Sequence, residues 1–299
     1  MIKDFSFEIQ IIDFSNKNQL VGSEYEDSKW WALDYNGSGF LLLALVNGIV
    51  VGSSSIKFRR IQIDNSIQKI AHLGHHYTKP EYRNKGIFST ILRKSEEICE
   101  SNNANLMFVT PNNKSFNIYQ KFSFIEVYAG PSSLYSVNFV KGRANKDDIS
   151  CKALDCDNYF NVTEKYPRTH SMLRDEFTWR VSRPSTSYNF TFAHIDGNEV
   201  AFCYRKGLPG PVETFVVSEI FINQQKPTMN DFYHTVKKLI NHGYVADNHQ
   251  FIIQSFENTE NENYNIYRSF PILLKPIQSS KRLKMDVFNN YQLTDSDYG

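Results

Sequence analysis

Tyr82-Arg83-Asn84-Lys85-Gly86-Ile87-Phe88 lies between two runs of different periodicity. Before it, Ala71 to Thr78 reads as a strand; after it, Ser89 to Glu100 reads as a helix. A basic turn with a glycine, leading into a helix, presents several backbone N–H groups that have no partner within the helix. The helix dipole adds positive potential at that point, which favours a phosphate or pyrophosphate. Arg83 and Lys85 add charge around it.

The flanks add further pattern. Upstream stands Thr78-Lys79-Pro80-Glu81-Tyr82-Arg83. Downstream, Leu106 to Thr110 reads as a short apolar strand. It is followed by Pro111-Asn112-Asn113-Lys114-Ser115-Phe116-Asn117-Ile118-Tyr119-Gln120-Lys121-Phe122-Ser123-Phe124. Strand, basic loop, helix, strand, Asn, helix and Tyr follow in that order.

This combination resembles the GNAT N-acyltransferase superfamily. The loop is similar to its Arg/Gln-x-x-Gly-x-Gly/Ala turn, and the downstream run to its N-x-x-(A/S)-x-x-x-Y-x-K-x-G-F segment. The resemblance implies an α+β fold: a mixed, mostly antiparallel sheet flanked by helices. It implies acyl-CoA as cosubstrate, held by Tyr77, Thr78, Arg83, Asn84, Lys85, Gly86, Ile87, Phe88, Asn112 and Ser115, with no metal. Two positions depart from the family pattern. Phe88 replaces a small residue and is tolerated if its ring points outward, and Ser123 stands where Gly is usual.

Length and composition set the outer limits. The 299 residues suit one large domain or two medium ones. With 33 Lys and Arg against 32 Asp and Glu, the near-neutral balance argues against a general nucleic-acid or anionic-membrane surface. No apolar run approaches membrane-spanning length, and Met1-Ile2-Lys3-Asp4-Phe5 lacks a signal-peptide core, so a cytoplasmic protein is expected. The four cysteines (Cys99, Cys151, Cys156, Cys203) show no metal-ligand spacing, and Cys99 reads as packing within a helix.

The architecture reads as duplicated. Trp31, the runs Phe40–Val46 and Ile49–Ser55, and the turn Asn47-Gly48 are echoed by Trp179, Tyr188–Ile195, Glu199–Tyr204 and Asp196-Gly197. Asn-Gly and Asp-Gly between alternating runs signal tight hairpins. Asn117-Ile118-Tyr119 recurs as Asn265-Ile266-Tyr267 at the 148-residue offset of the Trp pair. We therefore expect two tandem GNAT-like domains, 1–145 and 146–299. The first would be catalytic, and the second a degenerate copy forming part of the acceptor pocket. Where the first half has its basic loop, the second has Ile222-Asn223-Gln224-Gln225-Lys226-Pro227-Thr228, without a glycine, before a helix over Met229–Asn241 ending at Gly243. That half is expected not to bind CoA.

The expected order in the first half is β over 5–13, α over about 16–33, β over 39–46, 49–64 and 68–78, α over 86–101, β over 105–110, α over 113–121, and β over 123–129 with an extension toward 139. A link, Lys141–Cys156, follows, and the second half ends in a strand over Arg282–Phe288 and a polar tail.

Amide formation from a thioester needs an unprotonated amine, support for the oxyanion and a proton for the thiolate. Histidine suits the base without perturbation. Ala71-His72-Leu73-Gly74-His75-His76-Tyr77-Thr78, read as a regular strand, places His72, Gly74, His76 and Thr78 on one face. The resemblance points to His72, eleven residues before Arg83, as general base, with His76 nearer the loop at pantetheine depth. It implies Tyr119 as the acid that protonates the thiolate, Asn112 as a pantetheine contact, and backbone N–H groups near Tyr77 and Thr78 as the oxyanion site.

The acceptor is less defined. Trp30-Trp31-Ala32-Leu33-Asp34-Tyr35, the basic loop, Pro111-Asn112 and Asp175-Glu176-Phe177-Thr178-Trp179-Arg180 are similar to segments of GNAT proteins of surface-polysaccharide assembly. In length and tandem plan the chain resembles FdhC-type enzymes. That implies short-chain acylation, such as acetyl or 3-hydroxybutanoyl, of a dTDP-linked 3-amino-3,6-dideoxyhexose. Alternatives are a peptide or small-molecule amine as acceptor, or a non-catalytic CoA-binding module. Dimers are common in the family, and the sequence itself marks no interface.

Overall fold

The computed structural model describes residues 5–14, 38–63, 66–126, 132–138, 149–166, 174–183, 186–206, 214–223, 229–242, 250–255, 264–270 and 272–277. The expected helix over 16–33 with Trp31, the loop residues Gln224–Thr228, the Gly243 cap, the strand Arg282–Phe288 and the tail lie outside them.

Among the described residues, two seven-stranded sheets organise the chain. The first contains β1 (Glu8–Asp13), β2 (Gly39–Val46), β3 (Ile49–Ile63), β4 (Ser66–Thr78) and β5 (Leu106–Val109) in sequence order. Asn47 and Gly48 turn β2 into β3 at φ 51° and 75°, the left-handed pair that a two-residue hairpin requires. Helix α1 (Ile87–Ser101) buries Ile87, Ile91, Leu92, Ser95, Ile98 and Cys99, a stripe with helical spacing. That stripe packs on Leu42, Ala44, Val51, Ile56, Phe58, Ala71 and Leu73 of the sheet. Helix α2 (Asn113–Lys121) adds Tyr119 to the same core.

The second sheet repeats the plan with β8 (Ile149–Leu154), β9 (Tyr188–Ile195), β10 (Asn198–Lys206), β11 (Thr214–Ile222) and β12 (Gln250–Ser255). Asp196 and Gly197 form its hairpin turn at φ 51° and 79°. Helices α3 (Cys156–Thr163) and α4 (Arg174–Val181) lie between β8 and β9 in sequence, and α5 (Met229–Asn241) between β11 and β12. Strands β4 and β5 pair in parallel from Ile70↔Leu106 to His72↔Phe108, and β11 and β12 from Thr214↔Gln250 to Val216↔Ile252. Both pairings join residues 36 apart, so the duplication holds at the centre of each sheet.

Two expectations require correction. The stretch 123–139 is not one strand. Ile125–Glu126 forms β6 in the first sheet, whereas Ser132–Asn138 forms β7 in the second, between β12 and β13 (Tyr264–Phe270). Pro131 stands between them in sequence, and a proline cannot donate to a central ladder. Reciprocally, β14 (Leu273–Pro276) enters the first sheet between β5 and β6, with Leu273 opposite Val109 and buried in the first core. Each sheet thus takes one strand from the other half. The Asn-Ile-Tyr echo is also not an equivalence: residues 117–119 lie on α2, and 265–267 on β13.

Candidate active site

Up to Gly74, strand β4 alternates as the sequence predicts. His72 and Gly74 lie opposite Lys57 and Ser55 of β3, while Ala71 and Leu73 point into the α1 core. The register then slips. Gly74 pairs with Ser55 and Tyr77 with Ser53, so His75 and His76 together oppose the single residue Ser54. This is a β-bulge with its extra residue on β4, and His75 takes φ 52° there. The bulge reverses the alternation. His75 Nδ1 lies 3.1 Å from Ser55 Oγ, whereas the His76 ring meets Phe88 at 5.4 Å and Tyr119 at 5.7 Å. His72 and His76, expected to share a face, are on opposite faces of the sheet.

His72 is 3% exposed, and its ring packs 4.7 Å from Phe108. His75 is exposed and His76 half-buried. Pairing between β4 and β5 stops at His72↔Phe108, so the strands part just below the bulge. Tyr77 and Thr78, further along, pair on the other side with Ser53 and Gly52.

Beyond Thr78 a single 3-10 turn, Pro80–Tyr82, leads to the loop. Asn84 (φ 60°) and Gly86 (φ 81°) both take left-handed conformations, and Gly86 is the N-cap of α1. No side chain caps this helix, unlike α2, capped by Asn112, and α3, capped by Asp155. Nothing would lie within 4 Å of a Cβ at Gly86, so the glycine is required by conformation and the space over it is open. Arg83 is exposed, with Nε donating to the Thr78 carbonyl at 3.1 Å. Lys85 is also exposed and lies 4.7 Å above the Phe5 ring. Arg83, Asn84, Lys85, Gly86, Ile87 and Phe88 are thereby gathered around one helix N-terminus that can hold a diphosphate.

Phe88 does not point outward. Its ring lies 5.5 Å from Tyr119, edge to face, and closes an aromatic trio with His76. The Phe88 ring thus packs on the sheet side. Tyr119 is fully buried in this trio and also meets Phe124 at 5.0 Å. Asn112 Oδ1 accepts from the backbone N–H groups of Lys114 and Ser115 at 3.0 and 3.1 Å, and Ser115 Oγ is 3.2 Å from it. The Asn112 oxygen is thus engaged in starting α2, the helix that carries Tyr119.

Helix α4 of the second half meets β3 through Lys57, Arg59 and Arg60. Glu176, 1% exposed, accepts from Arg59 Nε and lies 4.0 Å from Lys57 Nζ. Lys57 Nζ also sits 2.8 Å from the Trp179 ring centroid, and Asp175 accepts from Arg60 at 2.8 Å. Phe177, on the other side of α4, stacks with Tyr159 in the second core. An open cavity of about 610 Å³ runs along α4, lined by Arg174, Asp175, Thr178, Trp179 and Ser182.

Burial, reinforced by Glu96 and Glu100, pushes the Cys99 thiol up to about 12, and burial also raises Cys151 and Cys156.

The sequence reading passed over Ser55, the bulge at His75 and Leu273. Ser53-Ser54-Ser55, polar on both faces of a strand and opposite a histidine-rich one, was the available sign of irregularity. Leu273 had none, because its pairing joins distant parts of the chain.

Residues 8–126 match the family profile described as acetyltransferase (GNAT) domain. No curated protein sequence matches the chain. Among solved structures, a GCN5-related N-acetyltransferase from Anabaena variabilis superposes with TM-score 0.64 at 10% identity, over 91% of this chain and 73% of that one. A tandem GNAT protein from the clavulanic acid biosynthesis pathway gives TM-score 0.60 at 12% identity, over 92% of this chain and all (100%) of that one. A GCN5-related N-acetyltransferase from Kribbella flavida gives 0.57 at 11%, over 90% and 71%. At these identities the likeness concerns the fold, and the profile match concerns the first half. Residues 8–126 thus match a GNAT acetyltransferase domain profile, and the chain shares the fold of these GNAT structures.

Proposed function

We propose that the protein moves a short acyl group, acetyl or 3-hydroxybutanoyl, from CoA to the amine of a nucleotide-linked amino sugar such as a dTDP-3-amino-3,6-dideoxyhexose. It would act in the cytoplasm, in surface-polysaccharide synthesis. The observation that carries the donor half is the uncapped, glycine-led N-terminus of α1 at the end of the parted β4 and β5 strands. The CoA diphosphate sits on the N–H groups of Ile87 and Phe88, with Arg83 and Lys85 around it. Pantetheine runs down past Tyr77, Thr78, Asn112 and Ser115, and the thioester lies in the gap. A histidine of β4 takes the amine proton, His72 being the residue that spacing favours. Tyr119 gives a proton to the departing thiolate, and His76 and Phe88 hold its ring.

The second half serves as acceptor wall. The cavity on α4 offers Trp179 for stacking a base and Arg174 for a diphosphate, with Lys57 and Arg59 behind it. Its own β11–α5 junction binds no CoA. The division of labour thus falls at about residue 145, with β7 and β14 exchanged.

An initial-rate thiol-release assay tests this, with acetyl-CoA and 3-hydroxybutanoyl-CoA against dTDP-linked amino sugars, polyamines and peptide N-termini. Turnover with an amino sugar, falling on the order of 100-fold in Tyr119→Phe, supports the reading. Turnover only with a peptide or polyamine retains the transferase and removes the sugar.

A further inference from the structure

We propose that His75, held in the β4 bulge by Ser55, is the general base of the transfer. This rests on the acyl-transfer reading above and assigns the base to a residue that spacing does not select.

His75 is a non-glycine residue at φ 52° inside a strand, a left-handed conformation that L side chains rarely adopt. Such outliers persist where the surroundings enforce them, and they concentrate at working sites. Here two serines of β3 enforce it. Ser53 Oγ donates to the His75 carbonyl at 3.2 Å, and Ser55 Oγ donates to the Gly74 carbonyl at 2.9 Å.

The second bond decides the ring's tautomer. A hydroxyl has one proton, and that of Ser55 is given to Gly74. The 3.1 Å contact between Ser55 Oγ and His75 Nδ1 is then attractive only if Nδ1 carries hydrogen. In the neutral ring Nε2 is then the basic nitrogen, and the residue is exposed. A serine here orients a base as second partners commonly orient catalytic imidazoles.

His75 lies three residues past the last β4–β5 pair, where the strands have parted. Its ring shares the Ser55 face, and Tyr119 lies on the α1 face. A thioester in the gap then has its base on one side of the sheet and its acid on the other. Amine nitrogen attacks the thioester carbon as its proton passes to His75 Nε2, and the C–S bond breaks as Tyr119 protonates the thiolate. Starting from the ammonium ion, nitrogen gives up two protons. One leaves through His75 to solvent, and the other replaces the proton that Tyr119 supplied. By contrast His72 is 3% exposed, and His76 is turned into the aromatic trio.

The test uses His75→Gly, which removes the imidazole and relieves the left-handed backbone, and His75→Asn, which also tolerates that conformation. Both should melt no lower than wild type and bind acetyl-CoA within about twofold by calorimetry, while kcat/KM for the amine found in the panel falls on the order of 100-fold. Added imidazole should restore part of the rate in His75→Gly. The ring nitrogens, read by long-range ¹⁵N–¹H spectra at alkaline pH, should show hydrogen on Nδ1 in wild type and lose that preference in Ser55→Ala. A kcat/KM within about threefold of wild type in both variants, or hydrogen on Nε2 in wild type, overturns the assignment. If wild type releases thiol with no amine at all, the transfer reading fails first and this inference falls with it.

Discussion

The two halves share a frame and differ at a few left-handed residues. Both have a type I′-like hairpin, at Asn47-Gly48 and at Asp196-Gly197. Both pair their fourth and fifth strands at the same 36-residue separation, and both carry an extra residue where the third and fourth strands slip. In the first half that slip is made by His75 at φ 52°, and the next loop turns through Asn84 and Gly86. In the second, no residue of β11 has positive φ. Val217, Ile220 and Ile222 of β11 pack against α5 as ordinary core. The repeated frame is maintained by apolar burial, which many sequences satisfy. The proposed chemistry depends on a left-handed bulge and an uncapped helix, features that burial alone does not preserve.

The largest effect is expected where the halves meet. Replacing Glu176 by Ala leaves Arg59 and Lys57 buried against α4, and should cost about 3–5 kcal/mol in denaturant unfolding. An unchanged midpoint would mean that α4 does not bind the halves together. Leu273→Ala comes next. Although the residue is late in sequence, it fills the first core, so the loss of about 2–5 kcal/mol should appear with weakened acetyl-CoA binding. Destabilisation without any effect on binding would count against the strand exchange.

Smaller effects concern the ends of α2. Asn112→Ala removes the cap of the helix that carries Tyr119, and a loss of about 1 kcal/mol is expected in thermal denaturation. Ser123→Gly should do the reverse. Ser123 holds φ 64° just after α2, and glycine there should stabilise by about 1 kcal/mol with activity unchanged. At the low end, Cys99 should resist alkylation in the folded protein at pH 8, as its raised thiol pKa and burial require. Labelling at the rate of a free thiol would show that α1 opens.

Local pattern made much of the fold legible. The hairpins, α1 and α2 were readable from Asn-Gly, Asp-Gly and the helical spacing of Ile87, Ile91 and Ile98, because these signals act over a few residues. The basic loop was readable for the same reason. Strand β4 was not, because a bulge shifts parity by one residue without altering composition, so His72 and His76 were assigned one face. The exchange of β7 and β14 was invisible because sheet pairing is non-local: Leu273↔Val109 spans more than half the chain. The repeated Asn-Ile-Tyr misled because three residues do not decide between helix and strand.

Isothermal titration of acetyl-CoA into the whole chain tests the difference between the halves most directly, by its stoichiometry. The account predicts a single site per chain, weakened on the order of tenfold by Gly86→Ala, because an alanine there strains the turn that presents the α1 N–H groups. Two equivalent sites, or a single site indifferent to Gly86, would contradict it.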